Sequence, residues 1–183
     1  MTTATQTRRP QPARRAPFRL RGRTRKTVLI LHILSVGSWV GVDVIVAVLV
    51  LTGWLSSDPS VRGLAYQALG TFVGWPMLVS ALVSLVTGVL LGLGSKYGLV
   101  RYWWVAIKLC LNLLLATLIV TALRGEVANA AGLGGQLAVG ADLDWNFTNM
   151  IYPPIVSPTA LTIAFLLAVF KPWGRIRRRT VDQ

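Results

Sequence analysis

The run VLILHILSVGSWVGVDVIVAVLVL, residues 28–51, carries one charged side chain, the carboxylate of Asp43, among its 24 residues. A helix of about 20 apolar residues crosses the hydrocarbon core of a bilayer, which is about 30 Å thick. The run is too long for the apolar region of a secretory signal, which has about 7–15 residues. We therefore predict that residues 28–51 form an uncleaved transmembrane helix.

Three further apolar runs follow, at about residues 72–93, 103–123 and 155–170. Apolar residues make up 54 % of the 183-residue chain and charged residues only 14 %, against roughly 25 % charged residues in a soluble domain. The sequence therefore predicts an all-α, polytopic membrane protein. Residues 28–171 are expected to form a four-helix transmembrane bundle.

Helix signals refine this outline. Asp58 followed by Pro59 is typical of a helix start, which places the beginning of the second helix outside the membrane. Pro76 predicts a kink in that helix, and Pro158 is expected in the first turn of the fourth span. Residues 124–154, with a Gly-rich stretch and an acidic one, are expected to be a flexible outer connector.

The basic residues predict the orientation. Of 19 basic residues, nine precede Thr27, five follow Phe170, and three lie in the connector between the second and third runs or at the start of the third run. Basic flanks mark the cytoplasmic side, so both termini are expected in the cytoplasm and the protein in a bacterial cytoplasmic membrane. Trp and Tyr residues gather at both predicted boundaries, as in an aromatic belt.

The two ends of the chain are predicted to be basic cytoplasmic tails, residues 1–27 and 172–183. The first is rich in Arg, Pro, Thr and Gln, which predicts disorder. Its charge is expected to attract anionic lipids. Nucleic acid is not expected as a partner, because the charges flank the spans rather than forming a separate basic domain.

A polar face runs along the first span. His32, which is the single histidine of the chain, Trp39 and Asp43 are spaced by seven and four residues, so they share one helix face. A charge facing lipid at mid-depth costs about 2.5–3.5 kcal/mol or more. We therefore expect this face to look into the bundle or into the interface of a homo-oligomer. Gly37 and Gly41 form a G-x-x-x-G pattern that allows close approach of another helix.

The second and third spans offer partners for this face. Ser80, Ser84, Gly88 and Gly92 recur every fourth residue, which predicts a packing stripe, with a serine-lined pore as the alternative. In the third span, Lys108, Cys110 and Asn112 are possible neighbours of His32 because they lie at a similar depth or one turn deeper.

The roles of these groups stay open at this point. His32 would hydrogen-bond across the bundle, hold a metal or haem, or transfer protons. Asp43 would be protonated or hydrogen-bonded within the bundle. Lys108 would snorkel toward the inner headgroups, and Cys110 would be a small apolar group or a ligand.

Three stretches carry a family resemblance: LHILSVGSWVG at 31–41, VTGVLLG at 86–92 and YWWVAIKLCLNLLL at 102–115. Together they resemble the bacterial copper-resistance D family and, more closely, its small four-span relatives of unknown function, over residues 28–123. The resemblance implies a helical inner-membrane protein linked to copper handling or redox chemistry, with copper or haem as cofactor. It also implies that His32 corresponds to the first-span histidine of that family. Further ligands would come from Cys110, a distant methionine or a second subunit.

Three functions follow as hypotheses. The first is a non-catalytic bundle that binds a partner membrane protein, a lipid or a hydrophobic ligand. The second is a copper- or haem-linked membrane component built on His32. The third is an oligomeric transporter or proton pathway that uses Asp43. An enzyme is not expected, because the sequence lacks the usual nucleotide-binding, hydrolase and metalloprotease motifs.

Overall fold

The computed structural model describes residues 20–95, 98–141, 147–172 and 174. Within these ranges the chain is helical and contains no strand. The helices are α1 (Gly22–Leu55), α2 (Pro59–Phe72), α3 (Gly74–Leu93), α4 (Trp103–Leu118), α5 (Arg124–Ala138) and α6 (Pro153–Phe170). A π-helical segment (Ile119–Leu123) joins α4 to α5, and a 3₁₀ segment (Phe147–Ile151) precedes α6. The predicted all-α fold is confirmed.

Four helical stretches of the described chain are long and apolar enough to cross a membrane: Gly22–Leu55, Pro59–Leu93, Trp103–Ala138 and Asn149–Phe170. This agrees with the prediction of four spans, although the first three stretches are longer than the predicted ones. At 1.5 Å per residue each of those three is about 50 Å long, which exceeds the thickness of the hydrocarbon core by about 20 Å. Part of each therefore projects beyond it.

Both ends of the chain depart from the predicted boundaries or lie beyond what the structure describes. Helix α1 begins at Gly22 and not at residue 28, so residues 22–27 are helical and not part of a disordered tail. Arg, Thr and Lys extend an existing helix at little cost. The rest of the predicted first tail, residues 1–19, and most of the second tail lie outside the described residues. Asp142 and Asp144, which form the acidic stretch of the connector 124–154, also lie outside them.

The four spans form a ring in which α1 and α4 each lie between α3 and α6. Successive spans run in opposite directions. The first residues of α1 and α4 and the last residues of α3 and α6 therefore lie at one end of the bundle, which we call the tail end. Large apolar side chains are exposed along the outer faces of α1, α3, α4 and α6, which is the pattern of helices in contact with lipid.

Helix α2 starts where the sequence predicts. The Asp58 carboxylate accepts a hydrogen bond from the backbone N–H of Ser60 at 2.9 Å, and Pro59 occupies the first helical position. Between α2 and α3 the helix is interrupted at Val73. Pro76 lacks an N–H and its ring clashes with the carbonyl four residues earlier, that of Phe72. The interruption therefore lies where the kink was expected.

The first turns of the fourth span differ from the predicted ones. Helix α6 begins at Pro153, two residues before the predicted start, because Pro153 and Pro154 at its first positions sacrifice no intrahelical hydrogen bond. Pro158 is consequently inside the helix, one turn further along than predicted.

Much of the connector 124–154 is helix and not a flexible loop. Helix α5 packs closely along α2, and we call this pair the cap, since it lies at the end of the bundle opposite to the tail end. A Cβ built on Gly63 would lie 2.5 Å from the carbonyl oxygen of Gly134, and one built on Gly134 would lie 2.7 Å from that of Gly63. Only glycine at both positions allows this approach, so Gly63 and Gly134 serve packing.

Most described Trp and Tyr residues of the predicted belt lie at the expected levels, whereas Tyr97, Trp145 and Trp173 lie outside the described residues. Trp54, Trp75 and Tyr152 are exposed on the cap side of the spans and Trp103 at the tail end. Trp104, by contrast, is only 8 % exposed. It faces the inside of the bundle and not the membrane boundary.

Candidate ligand-binding cavity

A cavity of about 580 Å³ lies among α1, α3, α4 and α6 in the tail-end half of the bundle. Its lining extends over residues 25–37 of α1, 84–92 of α3, 104–115 of α4 and 160–168 of α6. Most lining residues are apolar. The polar ones are Arg25, His32, Ser84, Ser95, Lys108 and Asn112.

The half of the bundle nearer the cap contains a buried apolar core. Buried residues of α1 recur at Ser35, Trp39, Asp43, Val46 and Val50, which follow helical spacing. Trp39 is fully buried and belongs to the apolar core. It lies two residues beyond Gly37, the last residue of α1 that lines the cavity, and therefore on the cap side of the cavity.

His32 joins α1 to α3 at the cavity wall. Its Nδ1 lies 3.0 Å from the Oγ1 of Thr87. The hydroxyl of Thr87 has two acceptors within α3, the carbonyl oxygens of Val83 at 2.6 Å and of Ser84 at 3.2 Å. We therefore expect it to donate its single proton within α3 and to accept from His32. In the neutral imidazole the proton is then on Nδ1, and Nε2 carries a lone pair. His32 thus offers an acceptor or a ligand atom.

Ser84 and Asn112 join α3 to α4 one turn deeper. The Nδ2 of Asn112 donates to the Oγ of Ser84 at 3.1 Å. The Oδ1 of Asn112 is buried and has no hydrogen-bond partner within the described chain. It is therefore an unused acceptor at the cavity.

The predicted stripe of α3 faces inward and has two parts. Ser80 is buried in the packed half. Ser84, Gly88 and Gly92 line the cavity, and a Cβ built on Gly88 would lie 3.3 Å from the Cε1 of His32. Gly88 therefore keeps space open beside the imidazole. At Gly92 a Cβ would instead lie 2.6 Å from the Cδ2 of Leu99.

Lys108 lines the cavity on α4, and its Nζ lies 4.8 Å from the centre of the Trp104 ring. Trp104 is one turn nearer the tail end of the same helix. The side chain thus extends toward the tail end, as expected for snorkelling, but along a buried aromatic ring inside the bundle.

Cys110 lies apart from the cavity and is exposed. Lys108 and Asn112 are four residues apart and share one face, whereas Cys110, halfway between them, points away from that face. The structure therefore brings together His32, Lys108 and Asn112, but not Cys110.

Gly37 and Gly41 have no close helix within the described chain. Both are exposed, and a Cβ built on either would meet nothing within 4 Å. Gly37 also lines the cavity. The approach expected at this G-x-x-x-G pattern is thus not made by α3, α4 or α6.

Asp43 is outside the cavity, buried between α1 and α6. It is 2 % exposed, and its Oδ2 accepts a hydrogen bond from the Oγ of Ser157 at 2.8 Å. Neither its Oδ1 nor the Nε1 of Trp39 has a partner within the described chain. The face predicted from the spacing of His32, Trp39 and Asp43 points into the bundle, but only His32 reaches the cavity.

Sequence reasoning missed four participating residues: Arg25, Thr87, Trp104 and Ser157. Thr87 lies three residues after Ser84, so helical periodicity places it on the same face. The sequence places Arg25 in the predicted tail 1–27 and Trp104 in the predicted aromatic belt, so neither is expected at a cavity. No local signal connects Ser157 with Asp43, since 114 residues separate them.

No protein-family model, curated protein or solved structure matches this chain. The resemblance to the copper-resistance D family therefore stays a prediction.

Proposed function

We propose that this protein is a non-catalytic transmembrane bundle that binds a hydrophobic molecule or lipid in the cavity among α1, α3, α4 and α6. The observation that carries this proposal is the cavity itself, about 580 Å³ in volume and mostly apolar. Small-molecule sites have volumes of about 300–1,000 Å³, an apolar lining and a few convergent polar groups. His32, Lys108 and Asn112 are such groups.

The small residues around the cavity support this reading. Gly88 and Gly92 on α3 lie across the ring from Ala164 and Ala168 on α6, and all four line the cavity. Protein interiors are normally close-packed. In this bundle, by contrast, one half is packed and the other contains the cavity, with small side chains on α3 and α6. This arrangement is expected when a ligand fills the cavity.

A cavity-filling variant tests the proposal. Ala164→Trp places an indole in the cavity, whereas Val169→Trp adds the same group on α6 at a position that is 72 % exposed. Native mass spectrometry with dioleoyl lipids and oleyl alcohol is expected to show one ligand retained by the wild type and by Val169→Trp. We expect at least a tenfold loss for Ala164→Trp.

Thermal unfolding of both variants shows whether they fold. Equal retention of ligand by Ala164→Trp and by the wild type, with both folded, would overturn the proposal.

The copper or haem hypothesis stays a prediction. The described lining of the cavity offers His32 but no Cys or Met, so further ligands would come from a second copy of the chain. Metal analysis of the purified protein beside His32→Ala tests this hypothesis, because a resident metal would be lost in the variant.

The transport hypothesis also stays a prediction. It assigns proton or ion movement to Asp43, which is buried beside Ser157. Flux in vesicles that disappears in Asp43→Asn would support it, and flux unchanged in that variant would contradict it.

The setting that we propose is a bacterial cytoplasmic membrane, with the tail end of the bundle on the cytoplasmic side. The basic residues support this orientation. Anionic lipids are the proposed partners of the basic tails, and a homo-oligomer or a partner membrane protein is the proposed neighbour of the exposed Gly37 and Gly41.

A further inference from the structure

We propose that the ligand of this cavity is an amphiphile with an anionic head, which Lys108 and Arg25 bind, and an acyl tail that lies in the apolar part. The inference rests on the proposed function and specifies the ligand class. It follows from the charges at the cavity, the depth of Lys108 and the position of the polar groups.

The charges are unbalanced. Arg25 and Lys108 line the cavity, and its described lining contains no carboxylate. The three acidic residues that the structure describes are all remote from the tail end: Asp43 is bonded to Ser157 in the packed half, Asp58 caps α2, and Glu126 is in α5. No described side chain therefore serves as counter-ion at the cavity.

Lys108 lies at a depth where a counter-ion matters. It is the sixth residue of α4, which at 1.5 Å per residue places its Cα about 7.5 Å from the start of the helix. An uncompensated charge surrounded by apolar groups is destabilising. The Trp104 ring offsets part of this cost through a cation–π contact of about 0.5–2 kcal/mol. An ammonium has three donors, and a ligand oxygen can accept from those directed away from the ring.

The polar groups also set the orientation of the ligand. Arg25 is seven residues before His32 in α1, about 10 Å nearer the tail end. On the cap side of Lys108, the unused Oδ1 of Asn112 is a hydrogen-bond acceptor and therefore repels an anion. The head therefore lies at the level of Lys108 or nearer the tail end. The acyl tail extends past Phe165 and Leu161 toward Trp39.

The anionic head has two chemical sources, the phosphate of a phospholipid and the carboxylate of a fatty acid. Native mass spectrometry of the full chain separates them with two matched pairs of probes. Dioleoyl phosphatidylglycerol is compared with dioleoyl phosphatidylcholine, and oleate is compared with oleyl alcohol. Within each pair the apolar chains are identical, and only the anionic member carries a net charge.

For the wild type we expect at least a fivefold preference for the anionic member of one pair or of both. The pair that shows the preference identifies the source. Lys108→Gln is expected to abolish the preference while oleyl alcohol still binds, and Arg25→Gln is expected to reduce it. Lys26→Gln is the matched control, because Lys26 is exposed on α1 and does not line the cavity.

Two results would overturn this inference and leave the proposed function intact. One is equal retention of charged and neutral probes by the wild type. The other is a preference that persists when Lys108→Gln and Arg25→Gln are combined. Failure of all four probes to bind would instead overturn the proposed function. Since Arg25 is exposed, we expect Arg25→Gln to fold. The preference for the anionic probe can therefore be measured in this variant even if Lys108→Gln does not fold.

Discussion

His32 and Thr87 form the hydrogen bond that joins α1 to α3 at the wall of the cavity, with 3.0 Å between Nδ1 and Oγ1. Since the Thr87 hydroxyl has carbonyl acceptors within α3, we expect the imidazole to carry its proton on Nδ1. With the proton on Nδ1, the Nε2 atom carries the lone pair of the ring.

Thr87→Val is expected to destabilise the bundle by about 1 kcal/mol, a usual value for one side-chain hydrogen bond between membrane helices. Unfolding in sodium dodecyl sulfate measures the change. Thr121→Val is the control, because Thr121 is exposed and bonds only within its own helix. Nitrogen-15 spectra of the single histidine are expected to show the Nδ1–H tautomer in the wild type, and an Nε2–H tautomer would contradict the assignment.

The bond between Asp43 and Ser157 is expected to stabilise the contact of α1 with α6. Ser157→Ala leaves a buried carboxylate without its donor, which costs about 1–3 kcal/mol. Replacing both groups removes the unpaired atom, so Asp43→Leu combined with Ser157→Ala is expected to be less destabilised than Ser157→Ala alone. Ser38→Ala, at an exposed position of α1, is the control in the same unfolding assay.

A double variant that is less stable than Ser157→Ala would show that Asp43 contributes more than this one bond.

The cap offers a matched pair of glycines in α5. Gly134→Ala places a Cβ against the backbone of Gly63 and is expected to destabilise the protein by about 1–3 kcal/mol, the usual cost of overpacking. At Gly132 a Cβ meets nothing within 4 Å, so Gly132→Ala is expected to stabilise it by up to about 1 kcal/mol through helix propensity. Thermal unfolding distinguishes the two. Equal effects would mean that α2 and α5 do not pack closely.

The N-cap of α2 is expected to depend on pH. Hydrogen bonds from the hydroxyl and then the backbone N–H of Ser60 hold the pKa of Asp58 below its ordinary value. Because the folded-state pKa is lowered, this contribution to stability is present above the ordinary pKa of about 3.9 and is lost as the pH falls through the folded-state pKa.

A carboxyl titration by NMR is expected to give a midpoint for Asp58 below about 3.9. Asp58→Asn is expected to remove the acid-dependent fraying of α2. A midpoint at or above the ordinary value would mean that the cap is not formed.

Membrane orientation is expected to follow the basic residues. In a Cys110→Ser background, Val139→Cys introduces a thiol at a position beside the cap that is 85 % exposed, and Gly174→Cys introduces one beyond α6. A membrane-impermeant maleimide added to intact cells is expected to label the first and not the second. After lysis both are expected to react. The reverse pattern would place the tail end outside.

The sequence predicts an all-α protein with four membrane-spanning helices, because the length and apolarity of each run leave few other structures possible in lipid. It also determined the start of α2 at Asp58 and Pro59 and the interruption before Pro76, since capping and proline geometry act over a few residues. Helical periodicity likewise placed His32, Trp39 and Asp43 on one face.

Which polar groups meet is not predictable from the sequence and depends on how the helices pack. Asp43 bonds to Ser157 in α6, and His32 bonds to Thr87 in α3. Gly134 packs against Gly63 of α2, although it was expected in a loop. These contacts depend on the depth, tilt and rotation of each helix. Packing against the other helices sets those three quantities, so they cannot be predicted from one apolar run alone. The cavity arises in the same way: it is the space left where small residues of α3 and α6 face each other, and no single helix specifies it.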